Sequence, residues 1–339
     1  MRKLPLVLVL LGVVAFAGWG GYWLVGSRGA ESAFAGWFDA RRADGWVAEY
    51  DDLNTAGFPN RFDTTFTGLE LADPDNDLAW SAPVFQVLTL SYTPNQFIAV
   101  WPHEQVLARP DQRLTITSEN IRGSITFVPD PALPVDHATF ELAGTEVAST
   151  KGWRSRIEAG QVSIRRTPEA EADNTYDLYV TATEMVPGKD YMETLRGVAN
   201  LPDTIDSVTV TGRATFDAPW DRFAVERRRP QPTRIELDLL TADWGDLNLM
   251  VAGTVDVAED GTPTGEITVK ATNWRDMVEI ARASGALSED WAGPVTKALE
   301  LLATLSGDPE TLDIPVRFSR GIMSFGRIPV GAAPKVRLW

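Results

Sequence analysis

The chain contains no cysteine and only 2 histidines among its 339 residues. Without thiols it forms no disulfide, zinc–thiolate site, iron–sulfur cluster or cysteine nucleophile. His103 and His137 are too few for a multi-histidine metal site, so no metal is expected. An excess of base is lacking as well: 31 Lys+Arg face 47 Asp+Glu, a formal net charge of -16. A body of that sign repels phosphate backbones, which excludes nucleic acid as a general partner. Neither a glycine-rich phosphate loop nor a G-x-S-x-G elbow is present, and no cofactor is expected.

Charge is missing altogether from one stretch. Leu4 to Val25 (LPLVLVLLGVVAFAGWGGYWLV) carries none over 22 residues, and about 20 apolar residues suffice for a helix to cross a bilayer. Leu4, Leu8, Leu11 and Val14 form its apolar body. Trp19, Tyr22 and Trp23 lie near its far end, where amphipathic rings suit the membrane–water interface. Arg2 and Lys3 precede it and hold that end in the cytoplasm. Without these two, 29 basic residues face 47 acidic ones, so the remainder carries -18. An A-x-A pattern at Ala15–Ala17 offers a second reading, a cleaved signal and a soluble periplasmic body. The apolar run continues past that point to Val25, and this length favours an uncleaved anchor. The expected location is therefore the inner membrane, single-pass, with the C-terminal body in the periplasm.

Residues 27–45 read as a helical connector, with Phe34, Trp37, Phe38 and Arg41 on one face and Gly45 as its stop. From Trp46 to residue 339 the period shortens to two. Val208, Val210, Ala214 and Phe216 share one side of a strand. Ile235, Leu237 and Leu239 share a side of the next, and Leu247, Leu249, Val251, Val255 and Val257 a side of a third. Such alternation marks strands with one buried and one wet face, which antiparallel sheets tolerate. Asp260-Gly261 reads as a hairpin turn. Earlier strands are expected over 61–71, 84–92, 97–101, 113–117, 121–128, 138–142, 154–157, 161–165 and 176–183. Helices are expected near 189–200, 274–285 and 290–306. Asn273 is the expected N-cap of the second, and Trp291, Val295, Ala298, Leu299, Leu302 and Leu305 form the apolar face of the third, which Gly307-Asp308-Pro309 ends. The expected fold is mainly β (a β-rich α+β arrangement): a twisted, curved antiparallel or two-layer sheet with a C-terminal helical hairpin, behind an N-terminal transmembrane helix. It divides into an anchor over 1–26, the connector over 27–45 and a β-rich domain over 46–339.

Several motifs resemble one family when taken in order. They are Gly57-Phe58-Pro59-Asn60-Arg61-Phe62, Trp80-Ser-Ala-Pro83 with Phe85, Tyr92-Thr-Pro94, Trp101-Pro102, Asn273-Trp274, and Gly326-Arg-Ile-Pro329-Val-Gly331-Ala-Ala-Pro334. Together they look like the alphaproteobacterial family known as domain of unknown function 2125, over nearly the whole chain. The resemblance implies an exported, anchored, β-rich protein and brings no catalytic residues with it. The plan of an anchor followed by long amphipathic strands is also similar to AsmA-like envelope proteins, by architecture and not by motif.

Other candidates weigh less. Asp73-Pro-Asp-Asn-Asp77 alternates acids as a calcium loop does, but Leu78 and Val84 stand where an EF-hand needs Gly and Glu, so a solvated turn is expected. His103 and His137 (beside Asp136) are expected on the surface. Arg227-Arg228-Arg229 reads as a solvated loop. The 12 tryptophans suit core edges or an apolar groove. The expected role is non-enzymatic: an anchored envelope protein that presents an apolar groove or sheet face to lipid or to an envelope protein. An interaction module of an envelope complex and a carboxylate-dependent hydrolase are the alternatives, the latter requiring two carboxylates about 5–10 Å apart in one cleft.

Overall fold

The computed structural model describes residues 4–195, 201–226, 229–285, 287, 289–306 and 309–338. Strands make up 53% of it and helices 22%, so the mainly β, antiparallel class behind an apolar N-terminal helix holds. The chain divides into two compact units: Met1–Thr126 with Ser149–Lys151, and Phe127–Ala148 with Gly152–Trp339.

The first unit opens with α1 (Leu4–Ala43), one unbroken helix through both the apolar run and the connector. Gly45 stops it with φ +89. Strands β1 (Val47–Glu49), β2 (Asp52–Ala56), β3 (Arg61–Asp73), β4 (Leu78–Leu90), β5 (Thr93–Val100), β6 (Glu104–Arg109), β7 (Gln112–Thr117) and β8 (Asn120–Phe127) follow. The long β3–β4 hairpin is central, with Arg61 opposite Leu90 at one end and Asp73 opposite Leu78 at the other. β1 and β2 share the outer edge of β3. The far edge of β4 is shared by β6 at Ala79–Ser81 and β5 at Gln86–Leu90. Pro83 falls between those two partners, where no ladder N–H is required. This is why β4 begins at Leu78 and not after the proline, as alternation alone suggested. The strands β1, β2 and β6 escaped the period-two reading: β1 and β2 are short, and β6 carries Val106, Leu107 and Ala108 in a row without alternation.

The second unit holds β9 (Val135–Ser149), β10 (Arg154–Arg166), β11 (Thr175–Val186), α2 (Lys189–Thr194), β12 (Ile205–Phe216), α3 (Arg222–Glu226), β13 (Pro232–Trp244), β14 (Leu247–Val257), β15 (Pro263–Thr272), α4 (Trp274–Ala283), α5 (Glu289–Ser306), β16 (Thr311–Ser319), β17 (Ile322–Phe325) and β18 (Ile328–Ala332). From β9 to β18 each strand pairs antiparallel with the next. The register aligns apolar residues into rows running across β9 to β16. One row is Phe140, Val162, Val180, Val210, Leu240, Val251, Val269 and Ile314. A neighbouring row is Leu142, Gly160, Ala182, Val208, Ala242, Leu249, Ala271 and Leu312; on the other side run Ala138, Ile164, Leu178, Gly212, Leu237, Gly253, Ile267 and Val316. Gly253 (φ +147) is required in the last row, because a Cβ there would lie 2.4 Å from the Glu266 carbonyl oxygen. The opposite face is wet. Arg213 bridges Asp177 (3.2 Å) and Glu236 (3.3 Å), Arg234 meets Asp256 at 2.7 Å, and Arg317 meets Glu266 at 2.6 Å.

Some expectations change. Leu239 does not share a face with Ile235 and Leu237: a register shift between Leu237 and Leu240 inserts a bulge, and Leu239 turns outward. Asn273 stands at the N-cap of α4 as expected, but its side chain makes no cap bond; it sits at φ 57, and its Nδ2 donates to the Asp246 carbonyl at 2.7 Å. The segments 154–157 and 161–165 are one strand through Gly160. The Gly/Pro-rich tail contains β18, paired with β17. Arg2, Lys3, the stop at 307–308, the second half of the helix expected over 189–200, and Arg227-Arg228 lie outside the described residues, as do the side chains of Leu4, Trp291 and Leu305.

Candidate functional site

Three constructions stand out, two in the first unit and one in the second. The first is the seat of α1. Leu8, Leu11 and Val14 are exposed along the free part of the helix. At Phe16 the helix meets the turn between β2 and β3: Phe16 and Phe58 pack edge to face with centroids 5.8 Å apart. Trp19 Nε1 then donates to the Pro59 carbonyl (2.8 Å), the Tyr22 hydroxyl to the Ser91 carbonyl (2.6 Å) and Trp23 Nε1 to the Arg61 carbonyl (2.7 Å). These rings, read as an interfacial belt, hold the body of the protein. Gly57 (φ +104) makes the turn tight enough for Arg61 N–H to reach the Gly57 carbonyl at 2.9 Å, and the Phe58–Pro59 peptide is cis. Gly26 has an equally specific reason: a Cβ there would sit 2.4 Å from the buried Phe62 ring. A turn later, Glu31 accepts the Thr55 N–H at 2.7 Å and so satisfies an edge-strand donor.

The second construction lies farther along the same helix. Phe34 and Phe38 pack on Phe66, at 5.2 and 5.6 Å, and Phe66 leads to Phe85 and on to Trp80 and Trp101. Trp80 Nε1 is satisfied by the Gln105 amide oxygen at 2.7 Å. Between helix and sheet remains a cavity of about 420 Å³ lined by Ala33, Phe34, Trp37, Phe38, Phe66, Leu69, Leu71, Trp80 and Phe85, all apolar. Its size falls within the range of small-molecule sites. Pro102 is buried beside Trp101.

The third is the row of the second unit that starts at Phe140. At its β16 end Ile314 is 5% exposed, beneath Val295, Leu299 and Ala303 of α5 and beside Trp274 of α4. Trp274 Nε1 donates to the Pro309 carbonyl at 3.0 Å. Gly326 donates to the Pro315 carbonyl at 2.8 Å, and the following strand β18 carries Pro329 and Gly331 and brings Val330 into the same core; Pro334 lies exposed beyond it. At the other end of the row Val162 is 46% and Phe140 38% exposed. The motif residues thus fall into two places: Gly57–Phe62 and Trp101-Pro102 around the seat and aromatic core of α1, Asn273-Trp274 and Gly326–Pro334 around the covered end of the second sheet.

The remaining candidates are engaged locally. His103 Nδ1 bonds the Ser118 carbonyl (2.9 Å) and His137 Nδ1 the Asp136 carboxylate (2.9 Å), both at the surface. Asp73 spends its carboxylate on its own turn, accepting from Asp75 N–H (3.0 Å) and the Asn76 amide (2.5 Å). Among the described residues no cluster of three His, Asp or Glu could hold a metal ion. Glu49 and Glu70 stand opposite each other on β1 and β3, and both line a cleft of about 510 Å³ with Asp51 and Glu104. Sequence reasoning missed the seat. Its bonds join residues 38 to 69 positions apart, and no local pattern signals such pairing.

The chain belongs to the bacterial family described as "Uncharacterized protein conserved in bacteria (DUF2125)", whose model matches residues 23–334. No curated protein and no solved structure matches it, and the likeness to AsmA-like proteins is not shown.

Proposed function

We propose that this member of the family is an inner-membrane-anchored envelope protein with a binding rather than a catalytic role, and that the partly exposed end of its second sheet receives an apolar ligand, a lipid acyl chain above all. The observation that carries this reading is the row from Phe140 to Ile314. Its residues are apolar throughout, and Ile314 at one end is 5% exposed under α5 while Phe140 and Val162 at the other are 38% and 46% exposed. Exposed contiguous apolar surface of this kind marks interaction sites. The aromatic cavity against α1 is a second surface of the same chemistry. Support for the anchor comes from α1, which is long and apolar enough to span a bilayer. The two basic residues before it favour a body on the periplasmic side.

Detergent-extracted protein is expected to carry phospholipid by native mass spectrometry and to bind a fluorescent phospholipid. The double variant Phe140→Asp, Val162→Asp should lose that binding. Protein that carries no phospholipid and binds none overturns the reading. Capture of a protein partner across this face by cross-linking would favour the interaction-module alternative. The hydrolase alternative rests on the facing Glu49 and Glu70, and Glu70→Gln is the variant that would abolish any such activity.

A further inference from the structure

The seat of α1 sits too close to the start of the apolar run for the body to stay clear of the bilayer. The run begins at Leu4, after Arg2 and Lys3. Among the described residues, the first ring contact with the body is Phe16 against Phe58. From Leu4 to Ala15 the helix rises about 18 Å, at about 1.5 Å per residue, whereas the hydrocarbon layer is about 30 Å thick. Beyond Phe16 the outward side of α1 remains apolar: Leu24 and Val25 are exposed, and Arg28 is the first charge. A helix in register with the bilayer therefore carries the turn that Trp19 and Trp23 grip below the membrane surface.

The end of the sheet at that level has the composition such a position requires. Gly57–Asn60 and Ser91–Gln96 contain no charged residue. Phe58 is 44% and Tyr92 61% exposed, and Pro59 and Pro94 are exposed beside them. Arg61, the next residue up β3, is paired with Asp63 at 3.0 Å. The opposite end of the same hairpin carries Asp73, Asp75 and Asp77. It lies roughly 40 Å away, at about 3.4 Å per strand residue.

We infer that the turns at 57–60 and 91–94 enter the leaflet on the body's side beside α1, so that the aromatic end of the first unit is seated in lipid and the acidic turn points away from it. This rests on the reading of α1 as a membrane span. The absence of native cysteine makes the test clean. Single variants Leu11→Cys, Phe58→Cys, Tyr92→Cys and Asp75→Cys of the full chain, each carrying an environment-sensitive fluorophore, are reconstituted into phosphatidylcholine vesicles with nitroxide-labelled lipid. Emission from positions 58 and 92 is expected to be quenched by nitroxides near the headgroup, that from 11 by mid-chain nitroxides, and that from 75 by neither. If 11 is quenched while 58 and 92 behave like 75, the inference fails and the anchor stands. If 11 is not quenched, the anchor itself fails and the inference with it. Tyr92→Cys guards against a folding artefact, since Phe58→Cys also removes the ring that packs on Phe16 and Trp23.

Discussion

The two ends of the second sheet are built from one row of residues and have opposite fates. Val162 and Ile314 are both β-branched, both lie in a continuous antiparallel ladder, and both face the same way. Ile314 is enclosed because α4 and α5 fold back between β15 and β16 and lay Trp274, Val295 and Leu299 over it. On β10 and β9, Val162 and Phe140 stay in contact with solvent, at 46% and 38% exposure. The difference shows that an apolar stripe records which side of a strand avoids water in the working protein. What keeps the water out can be a helix of the same chain or, as proposed for the partly exposed end, a ligand.

The sharpest way to break the comparison is a pair of truncations on one row. Ile314→Ala should cost about 2–5 kcal/mol, because it leaves a cavity under α5, read as a lower urea midpoint for the detergent-solubilised chain. Trp274→Ala belongs in the same class, at about 3–5 kcal/mol. A smaller effect is expected where α1 does the covering. Gly26→Val would drive a side chain into Phe62 and cost about 1–3 kcal/mol by overpacking, with altered tryptophan fluorescence as Trp19 and Trp23 shift. Smaller again is Val162→Ala at the partly exposed end, within about 0.5 kcal/mol as for other surface changes; a loss as large as that of Ile314→Ala would mean this end is covered as well. The smallest effect concerns the wet face. Burial pushes the Asp177 carboxyl up, but hydrogen bonds from Arg165, Thr167 and Arg213 outweigh it and hold the group below its ordinary value. A depressed carboxylate contributes stability above its unfolded pKa, near 3.9, and loses it as pH falls through the depressed value. These arginines are solvent-exposed, so the contribution is under ~1 kcal/mol. Urea midpoints measured from about pH 5 to about pH 2 should fall slightly less in Asp177→Asn than in the native chain.

Much of this was legible in the residues. Period two located β12 and β14 and the side each turns inward, since one-faced burial leaves a direct trace in the sequence. Hydrophobic spacing likewise placed α5 and picked out Val295 and Leu299 for its buried face. The turn at Asp260-Gly261 was equally plain, with Gly261 at φ +79. Strand β13 was misread past Leu237 because a bulge changes parity without changing composition. Trp19 and Trp23 read as aromatics of a membrane boundary, but their bonds to the Pro59 and Arg61 carbonyls could not be seen. A main-chain acceptor carries no residue identity, so nothing in the sequence marks it.

By itself, then, the sequence determined the apolar span, the acidic body without thiol chemistry, the antiparallel β class and the apolar side of most strands, because each follows from residue type and local spacing. Only the tertiary structure decided that apolar run and connector are one helix, that the Gly57–Phe62 turn grips it, and that the apolar row is enclosed at Ile314 and partly exposed at Val162. Those outcomes depend on which distant segments meet, and hence on the free energy of packing the chain as a whole.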